Sequence, residues 1–147
     1  MDQPSADRGG GERDFPDAEY PLQQLTGTII GAFYEVYRVF GYGFLESVYR
    51  RALAVELTYR GVPVAQEGRY EVFHRGVRVG SYRADLVADA SVVTETKTGL
   101  ILDPTSPAQL LNYLRASGLP VGLILHFGPR PVIKRIVASR ARIETLG

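Results

Sequence analysis

The chain contains no cysteine, which excludes a disulfide framework, a thiolate metal site and a cysteine nucleophile. No apolar run approaches the roughly 18 residues needed to span a bilayer. The first twenty residues, "MDQPSADRGGGERDFPDAEY", lack the basic and apolar regions of a signal peptide. These absences predict a soluble, cytoplasmic protein with no membrane partner. There are only two histidines, His74 and His126; neither has a neighbour at metal-pair spacing, so both read as structural. No internal repeat is present, and no nucleophile-elbow motif supports a Ser/His/Asp triad.

What is present fits one domain, since 147 residues with 45% hydrophobic and 22% charged side chains can bury a sizeable core. The net charge of +1 hides an asymmetry. Residues 1–20 hold six acids and two arginines, and the remainder carries fifteen basic and ten acidic residues. Such a moderately basic domain tolerates a polyanionic partner without demanding one. Arg130, Lys134, Arg135, Arg140 and Arg142 cluster near the C-terminus, as a phosphate track or a solvated edge would.

Composition and periodicity divide the chain into an N-terminal tail over 1–20, a domain over 21–138 and a C-terminal tail over 139–147. The tail's Gly, Pro and charge predict disorder or loose packing. Leu25, Ile29, Phe33, Val36 and Phe40 follow helical spacing, and "GYG" at 41–43 breaks the helix. A second helix is expected from about Phe44 to Arg60, burying a stripe of Leu45, Val48, Ala52, Val55 and Tyr59 and ending at Gly61.

The texture then turns to strands. "RYEVFHRGVRVGSYRADLVADASVVTETKT" reads as a three-stranded meander with turns at Arg75-Gly76 and Asp89-Ala90-Ser91. "TSPAQLLNYLRASG" reads as a helix with Ser106 as N-cap and Pro107 at its first position, and "VGLILHF" and "PVIKRIV" as strands. The order ααβββαββ predicts an α/β fold with one mixed central sheet flanked by helices.

Three charges interrupt the apolar pattern of the meander. Glu95 and Lys97 alternate on one strand and share a face. Asp85 precedes them, and its orientation depends on the turn. A three-residue connection pairs Asp85 with Glu95, whereas a two-residue loop pairs it with Thr94. The first register sets two carboxylates side by side, which is unfavourable unless a cation compensates. Lys97 supplies one charge and a divalent metal would supply more. Mg²⁺, or Mn²⁺ in its place, takes one or two carboxylates with waters and phosphate, so Asp85, Glu95 and the Thr96 carbonyl form a candidate metal set. Lys97 would then assist a water or a phosphate in metal-aided phosphodiester hydrolysis. From spacing alone, an exposed ion-pair network fits equally well.

The segment "GFLESVY", Gly43 to Tyr49, resembles the signature of the GxxExxY family of small bacterial proteins. "YRADLVADASVVTETK" resembles that family's strand pair and "AQLLNYL" its following helix, so the likeness runs from about Leu25 to Val137. The family lies within the PD-(D/E)XK nuclease superfamily, which implies a restriction-endonuclease-like core. The resemblance implies Asp85 as the first acid, Glu95 and Lys97 as the E-x-K half, and Gln109 with Tyr113 as the Q-x-x-x-Y motif of the RecB-like branch. Glu46 would add an acidic ligand or supporting contact from the second helix; the alternative is an i,i+4 ion pair with Arg50. Members often carry a histidine where this chain has Ser106, a departure that bears on metal binding or water activation.

These residues imply a metal-dependent nuclease acting on nucleic acid, DNA before RNA. Two alternatives stand beside it: a nucleic-acid- or protein-binding module that keeps the fold without catalysis, and a homodimer joined through the first two helices.

Overall fold

The computed structural model describes residues 22–138. The two expected tails, 1–20 and 139–147, lie outside the described residues. The elements are α1 (Gln23–Phe40), α2 (Glu46–Tyr59), β1 (Val64–His74), β2 (Val77–Ala88), β3 (Val92–Thr98), α3 (Ser106–Ser117), β4 (Val121–Phe127) and β5 (Pro131–Val137). This is an α/β fold in the expected order ααβββαββ. The strands form one mixed sheet in the order β1-β2-β3-β4-β5. Only β3 and β4 run parallel, and α3 supplies the crossover that a parallel pair requires.

Each sheet face is covered by helices. Ile29 and Phe33 of α1 and Tyr49, Leu53 and Leu57 of α2 close over Leu86, Leu123, Leu125 and Phe127. On the other face, Leu110, Tyr113 and Leu114 of α3 pack on Val87, Val93 and Ile124. Every residue of β4 is buried, which explains its unbroken run of apolar side chains. No helix of the described residues is long and apolar enough to cross a membrane.

The turns follow from backbone chemistry. Arg75 and Gly76 both have positive φ, 50° and 78°, and form a two-residue hairpin loop of type I′ character between His74 and Val77. Between α1 and α2, Gly41 and Gly43 sit at φ 68° and 119°, conformations that a Cβ disfavours. Tyr49 clamps this loop: its hydroxyl donates to the Gly41 carbonyl at 2.5 Å and accepts from the Phe44 N–H at 3.2 Å. Its ring stacks on Phe127 with centroids 4.1 Å apart, a contact worth about 0.5–1.5 kcal/mol beyond simple burial. Tyr49 therefore supports the helix entry, and among the described residues its hydroxyl bonds only the backbone of Gly41 and Phe44.

Three sequence expectations need correction. The stripe expected to bury α2 is largely its solvent face, with Leu45, Val55 and Tyr59 at 74%, 71% and 86% exposure. Helix α2 carries two apolar stripes, and Tyr49, Leu53 and Leu57, four apart, offer the larger volume to the sheet. Ser106 is not the N-cap: Thr105 holds that position, with Ser106 buried as the first helical residue. The Asp103 carboxylate occupies the local donors by accepting from both the N–H and the hydroxyl of Thr105. Finally, β1 begins at Val64, five residues before the expected start at Arg69. Gln66, Glu67 and Gly68 lack β-branched side chains, and Glu67 even has φ 54°, so this stretch does not read as a strand.

Candidate active site

The connection after β2 is the three-residue one. Asp89 and Ala90 both turn through positive φ, and the Ser91 N–H donates to the Ala88 carbonyl at 2.9 Å. The ladder then pairs Ala88 with Val92, Val87 with Val93 and Leu86 with Thr94, where it stops. Its register points Asp85 at Glu95. Beyond Leu86 the strands no longer pair, and a side chain enters the fork in place of backbone. The Asp85 Oδ2 accepts from the Thr96 N–H at 2.9 Å and from the Thr96 hydroxyl at 3.0 Å. Within a strand residue, N–H and C=O leave by the same edge, so the Thr96 carbonyl shares the edge that faces Asp85.

Glu95 is buried, 7% exposed. Burial pushes its carboxyl up to about 8, and the nearby Asp85 charge adds to the rise while Lys97 opposes it. The Tyr82 hydroxyl donates a hydrogen bond to the Glu95 Oε2. Two carboxylates crowded in low dielectric disfavour double ionisation, and a bound cation reverses that balance.

Lys97 projects from the face that Glu95 uses. It forms no ion pair among the described residues, yet its charge acts on both Glu95 and Glu46. The three charges are therefore not locked into a salt-bridge network. Glu46, at the first turn of α2, is raised by partial burial and then by the Asp85 charge. It is not paired with Arg50, which reaches across to Glu67 on β1 at 3.3 Å instead. Arg83 approaches the same Glu67 at 3.7 Å, so this acid is engaged by cations from two elements.

The donor set fits a hard divalent ion of modest coordination demand. Among the described residues, no three His, Cys, Asp or Glu side chains converge into a metal cage. Mg²⁺ needs no such cage, because one or two carboxylates, a carbonyl and waters suffice. Asp85, Glu95 and the Thr96 carbonyl offer oxygen ligands of that kind.

Gln109 and Tyr113 share the face of α3 that meets β2. With Tyr82, Asn112, Val72 and Val79 they line a cleft of about 410 Å³. Tyr113 stands beside Tyr82 in that cleft, and burial raises its phenol. Its hydroxyl is buried without a partner, and neither Gln109 nor Tyr113 hydrogen-bonds Asp85, Glu95 or Lys97 among the described residues. The structure thus groups Asp85, Glu95, Thr96, Lys97 and Glu46, and sets Gln109 and Tyr113 one tyrosine away.

Tyr82 is the site residue that sequence reasoning missed. Strict alternation puts residues 82 and 85 on opposite faces. The faces exchange near Asp85: Ala84 and Val87, three apart, join one cluster while Leu86 and Ala88 join the other. Glu67, with its positive φ, lies beside this exchange, between the pairs Gln66–Leu86 and Gly68–Ala84. Only an aromatic residue close upstream of the first acid hinted at it.

Residues 23–136 match the family model described as the PD-(D/E)XK nuclease superfamily. Among solved structures, the chain is similar to the crystal structure of SSO0001, with 20% identity and a TM-score of 0.49. That likeness covers 92% of this chain, which spans 66% of the other's length. No curated protein matches the chain in sequence.

Proposed function

The chain belongs to the PD-(D/E)XK nuclease superfamily, and we propose that it hydrolyses phosphodiester bonds in nucleic acid, DNA before RNA, at the fork between β2 and β3. The observation that carries this reading is the Asp85 carboxylate in the fork, bonded to Thr96, with Glu95 beside it and Lys97 on the face of Glu95. Asp85, Glu95 and the Thr96 carbonyl would hold Mg²⁺ or Mn²⁺, with Glu46 adding an acid from α2 directly or through a water. Bound there, the metal would polarise the phosphate and acidify a water. The Lys97 ammonium orients that water or takes up charge on the phosphate. Gln109 and Tyr113 line the approach beside Tyr82, as the Q-x-x-x-Y pair of a RecB-like, GxxExxY-type member. Where such members often carry histidine, the buried Ser106 offers no imidazole for metal binding or water activation.

A metal-dependent nicking and exonuclease assay, with Lys97→Ala and excess chelator as controls, tests this reading. Equal cleavage by the variant or in chelator would sink it.

A second reading is a binding module that retains the fold without turnover. The lack of any hydrogen bond from Gln109 or Tyr113 to the acid–acid–lysine set favours it. Salt-sensitive DNA binding without cleavage would establish it, because phosphate contacts release counterions. Exposed Val55 and Tyr59 on α2 are compatible with pairing of two copies, which light scattering would detect.

A further inference from the structure

The β1–β2 hairpin runs on where the rest of the sheet stops. Strand β3 pairs with β2 only at Leu86, Val87 and Ala88, so residues 77–84 have β1 as their one ladder neighbour. Ala84 packs on the α3 side, and alternation therefore turns Arg83 to the α2 side. There it approaches Glu67, the same acid that Arg50 of α2 reaches. Arg69 is the direct register partner of Arg83 and projects from the same face. Both arginines are exposed.

Two like charges directly opposite each other on a ladder repel, with their Cβ atoms only about 5 Å apart. The acids of this face do not relieve them. Glu67 is met by Arg50 at 3.3 Å, closer than by Arg83, whose 3.7 Å is longer than a hydrogen bond. Glu71, the next acid along β1, is taken by Arg78. Arg69 has no ion pair among the described residues. Four guanidiniums thus face two carboxylates, and the excess falls on the opposed pair Arg69 and Arg83. This pair stands two residues before Asp85. Arg50 ties the face to the site as well, because it follows Glu46 by one turn of α2 and its charge acts on that acid.

An anion held between the two guanidiniums removes the conflict. We propose that Arg69 and Arg83 together seat one phosphate of the substrate strand, flanking the phosphate that is cleaved at the fork. A guanidinium offers paired N–H donors that match phosphate oxygens, and two of them set across a ladder can grip one phosphate from both sides. Arg83 lies about 7 Å from Asp85 along an extended strand, which puts the seat beside the metal ligands and not on them. Arg50 keeps Glu67 from competing for the seat. The proposal rests on the nuclease reading for the identity of the anion as a nucleic-acid phosphate, but the seat itself needs neither metal nor cleavage.

The test is fluorescence anisotropy of a short labelled DNA duplex with the intact protein in excess chelator, measured from about 50 to 200 mM salt. Arg69→Ala and Arg83→Ala should each weaken binding by about three- to tenfold at the lowest salt. Because both hold one phosphate, the double variant should flatten the plot of log affinity against log salt by about one unit, not two. Arg38→Ala removes an equal charge from α1, where Arg38 pairs with Glu35, and should leave the slope unchanged. Without DNA, Arg69→Ala should melt at or above the wild-type temperature at low salt, since it relieves a like-charge pair. A lower melting temperature would assign Arg69 to the fold and overturn the proposal. Unchanged binding by both variants, an equal loss in Arg38→Ala, or a two-unit change in the double variant also overturns the shared seat. If the wild type still cleaves in that case, the Asp85–Glu95–Lys97 reading stands and the seat alone falls. The expected slopes in a protein that cleaves nothing support the seat while the nuclease reading fails.

Discussion

Asp85 takes its hydrogen bonds from Thr96 rather than from a residue of its own strand, with Oδ2 2.9 Å from the Thr96 N–H and 3.0 Å from its hydroxyl. A side chain thus stands where the β2–β3 ladder would otherwise continue past Leu86–Thr94. The substitution opens the sheet and brings a carboxylate and a main-chain edge to one point. Metal chemistry needs that combination, and regular pairing would prevent it.

The stability of the metal-free chain should fall as pH rises. Burial holds the Glu95 carboxyl up at about 8 in the folded state, against 4.5 when unfolded. Between these values the folded state binds the extra proton, so stability is full below about 4.5 and is lost as pH climbs to about 8. Glu95→Gln removes this dependence and should raise Tm at pH 8 by roughly 3–6 °C, with little effect at pH 4.5. Thermal scans across that range, in chelator, provide the check. Added Mg²⁺ should restore stability most at the alkaline end, because a cation favours the ionised acid.

Tyr82→Phe removes the donor to Glu95. The buried carboxylate then loses a bond that favours its charged form, so metal affinity at neutral pH should drop by about 10-fold, as for other groups that support a metal ligand. Calorimetric titration with Mn²⁺ measures this without reference to activity. Unchanged affinity would show that Tyr82 merely fills the cleft beside Tyr113.

Tyr49→Phe should separate loop support from site chemistry. It forfeits bonds to Gly41 and Phe44 and should cost about 1–2 kcal/mol in chemical denaturation. Metal affinity should stay within twofold of wild type, by about the ordinary scatter of a distant substitution.

Lys97→Ala should reduce cleavage by about 10²–10³-fold, the usual effect of losing one electrostatic contact to the transition state. Because Lys97 forms no ion pair among the described residues, the variant should melt near the wild-type temperature. A large fall in Tm would reassign the ammonium to structure.

How much of this was legible in the sequence differs from element to element. The alternating apolar residues of β2 and β3, with Asp89-Ala90-Ser91 between them, already carried the register that points Asp85 at Glu95. The uninterrupted "VGLILHF" announced a strand covered on both faces. Helix α2 misled because two apolar stripes compete on it, and only the sheet's demand for Tyr49 against Phe127 decides between them. Tyr82 and the early part of β1 escaped for a shared reason. The exchange of faces near Glu67 and Asp85 is a tertiary event, and strand alternation assumes that no such exchange occurs.

The most direct test of the account is diffraction from crystals soaked in Mn²⁺, recorded at a wavelength where manganese scatters anomalously. The account predicts one anomalous peak bridging the Asp85 and Glu95 carboxylates, with the Thr96 carbonyl among its ligands, and loss of that peak in Asp85→Asn. A well-diffracting soak with no peak at the fork, or a peak held by other residues and unchanged in Asp85→Asn, would contradict it.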